Sequence, residues 1–145
     1  MKLLVQRVSQ ANIEIDKENI ATISKGILVF VGFDPSDSIK EITKLTKKLL
    51  NYKVFNDING RLALSVLEAE AEILLVPQVT LAVSTNKGLK PSFSGAADPE
   101  KGLELFKAFK GHLEASYSRL QAGKFGANMS VSLINEGPIT YWFED

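Results

Sequence analysis

Apolar and polar residues alternate along residues 3–8 and again along 11–15, which predicts two strands with a short turn between them. Residues 19–23 extend this meander. Gly26-Ile27-Leu28-Val29-Phe30-Val31-Gly32 is a continuous apolar, β-branched run and predicts a central strand. Beyond the Asp34-Pro35-Ser36-Asp37 loop the period changes. Ile39, Ile42, Leu45 and Leu49 recur at helical spacing, with Lys44, Lys47 and Lys48 on the other side. Ser38 followed three residues later by Glu41 fits a capping box at the start of that helix.

A short strand at 52–55 and a return at 62–65 flank Asp57-Ile58-Asn59-Gly60, where Asn-Gly is a strong hairpin signal. Residues 73–83 read as one long extended stretch. Pro77 interrupts it, and without an N–H it marks a bulge or a strand break. Residues 84–97 are polar, with Gly88, Pro91 and Gly95, and read as a long surface loop. Asp98 and Pro99 open a second helix as N-cap and first-turn proline. Leu103, Phe106, Phe109, Leu113, Tyr117 and Leu120 are expected along one face of it, with Gly123 as its stop. Met129, Val131 and Leu133 alternate with Ser130 and Ser132 as a half-exposed strand. A last strand at 139–143 is entered through Asn135-Glu136-Gly137-Pro138. There are no repeats and no linker. The pattern predicts a single α+β domain over 1–145: a small, curved, β-barrel-like sheet with two main helices.

Composition narrows the chemistry. The 145 residues are 45% hydrophobic, enough for one domain burying roughly 70% of its unfolded surface. Disordered and collagen-like classes are excluded. Seventeen basic and 17 acidic residues cancel, which argues against a generic polyanion binder and leaves room for a local patch. No apolar run approaches the ~20 residues of a membrane span, and the N-terminus turns polar at Gln6-Arg7, too early for a signal peptide. A cytoplasmic location without membrane attachment is expected. There is no cysteine, and His112 is the one histidine. A thiol nucleophile and a multi-histidine metal site are therefore impossible, and no metal or cofactor is expected. Any catalysis must come from hydroxyls, amides, carboxylates, the backbone or the substrate.

Two segments place turn chemistry inside extended sequence. In Val76-Pro77-Gln78-Val79-Thr80-Leu81 the proline frees nearby backbone groups, and Gln78 and Thr80 would share one face of an extended chain. A freed amide beside a hydroxyl makes an oxyanion site; a bulged edge strand with two solvated polar residues fits the same pattern. Gly137-Pro138 permits unusual backbone geometry and also fits an ordinary turn. Phe125, between Gly123 and Gly126, reads as an apolar anchor or a ligand platform.

Together these segments resemble the D-aminoacyl-tRNA deacylases. The resemblance runs over nearly the whole chain, through Gln6-Arg7-Val8, Phe55-Asn56-Asp57 and Gln78-Val79-Thr80-Leu81. It continues through Lys87-Gly88-Leu89-Lys90-Pro91-Ser92-Phe93, Gly123-Lys124-Phe125-Gly126-Ala127-Asn128-Met129 and Asn135-Glu136-Gly137-Pro138-Ile139-Thr140. It implies a homodimer with active sites at the interface. The implied reaction is hydrolysis of the ester that joins a D-amino acid, or glycine, to the 3′ end of tRNA. By the same resemblance Gln78 and Thr80 are catalytic, and Pro77, Val79, Phe125 and Met129 line the substrate pocket. Gly137 and Pro138, from the other subunit, face the substrate's α-ammonium and exclude an L side chain, and Arg7 braces their loop. The ribose 2′-hydroxyl assists the attack.

Three positions depart from the family pattern. Pro77 and Val79 stand where serine and phenylalanine are usual, and Lys90 replaces an arginine, losing its planar fork. A related branch that also carries Pro-Gln-x-Thr has relaxed chirality and removes L-alanine from tRNA. That activity, and a non-catalytic tRNA-binding module, stand as alternatives.

Overall fold

A 14-residue strand, β1 (Lys2–Ile15), organises the sheet of the computed structural model, which describes residues 1–86 and 88–145. Lys87, first residue of the Lys87-to-Phe93 motif, lies outside the described residues. One edge of β1 pairs throughout with β8 (Ser130–Glu144). The other edge pairs antiparallel with β3 (Gly26–Gly32) along residues 2–8 and with β2 (Glu18–Ile23) along residues 11–15.

The expected turn after Val8 is instead a bulge within one strand. Val8 pairs with Asn135 and Gln10 with Ile134, so Ser9 is an extra residue. That insertion swaps which face the following side chains occupy, because strand side chains alternate with period two. Leu3 and Val5 join the main core, whereas Ala11 and Ile13 join a second apolar cluster with Ile23, Leu28 and Leu74. The run at 26–32 is the central strand expected. It pairs parallel with β6 (Glu72–Pro77), which pairs parallel with β7 (Leu120–Ala122). The order is β2-β1-β3-β6-β7, with β8 on β1. The sheet curls until β2 meets β7. There the Gln121 amide donates to the Thr22 carbonyl (2.6 Å) and accepts from the Thr22 N–H (3.0 Å). The result is the nearly closed, barrel-like sheet the pattern predicts. The short strands β4 (Phe55–Asn56) and β5 (Leu62–Leu64) form the expected hairpin, displaced slightly from 52–55.

Helices α1 (Ile39–Asn51) and α2 (Pro99–Ser116) cover one face of the sheet. Ser38 and Glu41 form the capping box at α1, and the Asp98 carboxylate accepts from the Lys101 N–H (3.0 Å) at α2. The buried stripe of α2 is Leu105, Phe106, Phe109 and Leu113, while Leu103 stays exposed. Leu103 and Leu105 stand two steps of about 100° apart around the helix, and the facing sheet decides between them. The helix also ends earlier than expected. The Tyr117 N–H closes on the Leu113 carbonyl (2.8 Å), and residues 120–122 leave to complete the parallel edge of β6. Long-range pairing overrides the local pattern there. Among the described residues no helix is long and apolar enough to cross a membrane.

The link from β5 to β6 is pinned from outside. Lys53 donates to Glu68 Oε1 (2.7 Å), and the Ser65 N–H donates to Glu68 Oε2 (2.7 Å). The Lys53 bond foremost, then the Ser65 N–H and hydroxyl, hold the Glu68 carboxylate down at about 2, against its ordinary value near 4.5. A depressed carboxylate stabilises the fold above its unfolded value and loses that contribution as pH falls toward its folded value. The Tm of the wild type should therefore exceed that of Glu68→Gln at neutral pH. The gap should narrow steadily from about pH 5 to about pH 3 in thermal melts. A gap independent of pH would contradict this assignment.

Candidate active site

Pro77 has no N–H to extend the ladder, and β6 ends there opposite Val31. It is a strand end, not a bulge. The Gln78 N–H makes one more bond to the Val31 carbonyl (2.7 Å), and the chain then tightens into a 3-10 turn, Val79–Leu81. Gln78 and Thr80 consequently do not share the face of a strand. They meet across the turn, where Gln78 Nε2 donates to Thr80 Oγ1 (2.5 Å). The N–H groups of Leu81, Ala82 and Val83 close on the carbonyls of Gln78, Val79 and Thr80. Those of Val79 and Thr80 have no acceptor among the described residues, and both residues are exposed. Two adjacent N–H donors at the open end of a turn can hold an oxygen on which negative charge develops. Gly32 lets the turn sit this close: a Cβ there would stand 2.9 Å from Leu81 Cβ and 3.0 Å from the Gln78 carbonyl oxygen.

A pocket of about 500 Å³ opens beside the turn. Its walls are Val31 to Phe33 at the end of β3, Val76 to Val79, Pro99 and Gly102 of α2, and the segment from Phe125 to Met129. The structure thus brings together Pro77, Gln78, Val79, Phe125 and Met129, and Thr80 lies next to them through its bond to Gln78. Phe125 is half-buried against Phe106, with ring centroids 5.9 Å apart. Gly123, expected as a helix stop, follows β7 instead and makes room for Met129: a Cβ would stand 2.6 Å from its sulfur. His112 does not line this pocket; its Nδ1 bonds the Ala108 carbonyl (3.0 Å) one helical turn back. Among the described residues no group of three or more His, Cys, Asp or Glu side chains is placed to hold a metal.

Gly137 and Pro138 lie elsewhere. From Gln6 to Val8 the chain advances two residues, while the paired positions of β8 go from Thr140 back to Asn135. The surplus residues of β8 bulge out, and Gly137 and Pro138, joined by a cis bond, stand exposed at the tip. Arg7 holds the bulge from below with a buried guanidinium. It donates to the carbonyls of Val54 (2.9 Å), Glu136 (3.1 Å) and Gly137 (3.3 Å). Asn135 closes the base of the bulge, donating to the Arg7 carbonyl (3.0 Å) and the Ile139 carbonyl (3.2 Å). Arg7 pairs with Ile27 on β3, and Lys2 with Gly32. The bulge and the pocket are therefore five residues apart along the strands, roughly 16 Å at ~3.3 Å per residue.

Asn135 and Gly102 carry roles that residue patterns did not reveal. A glycine inside the apolar stripe of a helix was the available signal for Gly102, since glycine weakens a helix unless its missing side chain is needed. Nothing in the local pattern marks Asn135, whose two acceptors come from different strands.

A family model described as D-Tyr-tRNA(Tyr) deacylase matches residues 4–144. The D-aminoacyl-tRNA deacylase of Shewanella piezotolerans is 44% identical over 141 residues, covering 97% of each chain. That of Ectopseudomonas mendocina is 44% identical over 144 residues, covering 99% of each. Among solved structures, one described as c-Myc DNA Unwinding Element Binding Protein superposes with a TM-score of 0.96 at 37% identity, over 100% of this chain and 99% of its own. A probable eukaryotic D-amino acid tRNA deacylase shares the fold, with a TM-score of 0.87 at 18% identity over 98% and 97% of the two chains.

The three bonds of Arg7 set a measurable expectation. Arg7→Ala should destabilise the protein by on the order of 3 kcal/mol in urea unfolding, because it strips a charged donor from three carbonyls. Arg7→Lys should recover only part of that, since an ammonium cannot span all three. A loss for Arg7→Ala below about 0.5 kcal/mol would show that the guanidinium does not hold the bulge.

Proposed function

The chain belongs to the D-Tyr-tRNA(Tyr) deacylase family, and from that premise we propose that it hydrolyses the ester joining a D-amino acid to the 3′ end of tRNA. The observation that carries this reading to the site is the pair of Val79 and Thr80 N–H groups, which have no acceptor among the described residues and sit on the exposed turn beside the pocket. An aminoacyl ester is already activated, so stabilising the tetrahedral oxyanion supplies much of what catalysis needs. Water adds to the carbonyl carbon, the oxyanion rests on the two N–H groups, and the 3′-oxygen leaves with a proton. Gln78 and Thr80 act as the catalytic pair: Gln78 fixes the Thr80 hydroxyl, which positions the ester and the attacking water. Pro77, Val79, Phe125 and Met129 hold the terminal nucleoside and the aminoacyl group. The substrate's ribose 2′-hydroxyl assists, which suits a site without histidine.

Gly137 and Pro138 complete the site by excluding an L side chain. Their separation of roughly 16 Å from the pocket of their own chain supports a homodimer in which each bulge serves the other pocket. Arg7 keeps the bulge at the height such a filter requires. Glycine presents no side chain to reject, so glycyl-tRNA is a substrate as well. No cofactor or metal takes part, and the protein works on aminoacyl-tRNA in the cytoplasm.

A parallel time course with D-Tyr-tRNA, L-Tyr-tRNA, Gly-tRNA and L-Ala-tRNA, in the presence of chelator, tests the reading. The D-tyrosyl and glycyl esters should disappear while the L-tyrosyl ester persists. Loss of L-Ala-tRNA at the same rate would assign the protein to relaxed chirality, and no hydrolysis of any ester would leave a binding module.

A further inference from the structure

Gly102 lies in the first half of α2, buried, with its Cα side on the pocket. Glycine is the poorest helix former except proline, so a buried helical glycine requires a reason. Phe125 supplies it. A Cβ at Gly102 would stand 3.0 Å from Phe125 Cζ and 3.6 Å from Cε2, so the tip of the ring occupies the space a side chain would take. Phe106 packs against the same ring with centroids 5.9 Å apart and backs it on the core side. A ring pushed away from α2 therefore has the pocket as its open direction. The other glycine of this helix, Gly111 in its second half, shows the contrast: a Cβ there would meet nothing within 4 Å.

We propose that Gly102 is a specificity-determining position, acting through Phe125 to set the width of the pocket for the substrate's terminal nucleoside. This rests on the reading that the pocket receives the 3′ end of an aminoacyl-tRNA. Gly102 touches no reacting atom and is a positioning residue. The Val79 and Thr80 donors belong to the turn after β6, and no atom of either lies within 4 Å of where a Cβ at Gly102 would stand. Displacing the ring narrows the nucleoside site and leaves the ester-cleaving turn in place.

The experiment compares Gly102→Ala with Gly111→Ala, each alone and combined with Phe125→Leu, which removes the ring tip. Gly102→Ala should raise KM for D-Tyr-tRNA about three- to tenfold and leave kcat within about twofold, while Gly111→Ala leaves both unchanged. Both alanines should hold or raise the Tm, because alanine favours a helix over glycine. A merely destabilised pocket would lower it. In the Phe125→Leu background Gly102→Ala should add less than about a further twofold to KM. An unchanged KM, or an equal rise with and without the Phe125 ring, overturns the proposal. Calorimetric titration with adenosine 5′-monophosphate gives a readout free of turnover. Weaker binding by Gly102→Ala than by Gly111→Ala supports the proposal even where wild-type protein leaves D-Tyr-tRNA intact, an outcome that would defeat the substrate reading alone. Equal affinities, or no binding by the wild type, overturn it.

Discussion

The buried guanidinium of Arg7 is the contact on which the arrangement of this molecule turns. A charge removed from water is stable only with its donors satisfied, and Arg7 meets that demand with three backbone carbonyls from two distant segments. One is Val54, just before the β4–β5 hairpin; the others are Glu136 and Gly137, inside the bulge of β8. The same interaction therefore locks a hairpin, a strand and a protruding loop to one point on β1. The planar fork makes this possible, since a point charge could not address three acceptors in fixed directions. The bulge stays exposed while its base is tied down by Arg7 and Asn135.

Beside the pocket the backbone carries a deficit of hydrogen bonds. Pro77 ends β6 because it lacks an N–H, and the 3-10 turn that follows leaves two N–H groups without an acceptor among the described residues. Two spare donors thus stand beside a pocket walled by Phe125 and Met129. Catalysis without histidine or cysteine then becomes intelligible. In the proposed reaction the backbone provides fixed dipoles for the developing charge, which costs no reorganisation during reaction. The valine at position 79 and the proline at position 77 leave these donors in place, since neither change touches the N–H of residue 79 or 80.

Much of this was legible in the sequence where the signal is local. Ser38 with Glu41, Asp98 with Pro99, and Asn59 with Gly60 each specify a cap or a turn within a few residues, and each forms as expected. The run at 26–32 revealed the central strand because burial on both faces leaves no polar alternation. What the pattern hid is long-range. Ser9 resembles the polar tip of a turn, and only pairing with β8 makes it a bulge in a continuous strand. Residues 120–122 continue a helical stripe until the open edge of β6 captures them. Gln78 and Thr80 were paired correctly for the wrong reason: a strand face was expected, and a turn brings them together. The motifs pointed to the candidate residues through their resemblance to a family, whereas the bonds of Asn135 and the close approach of Gly102 to Phe125 depend on neighbours that lie far off in the sequence.

In the proposed dimer a working site combines the pocket of one chain with the Gly137-Pro138 bulge of another. Subunit complementation reads this out. One chain carries Val79→Pro, which removes an oxyanion donor, and the other carries Gly137→Val with Pro138→Val, which rebuilds the bulge. Each alone should fail to discriminate and cleave D-Tyr-tRNA in the native manner. Random reassortment of equal amounts should restore about one quarter of wild-type D-selective activity, because half of the dimers are mixed and each mixed dimer holds one intact site. A mixture no more active than its two components would contradict the claim and place the whole site within a single chain.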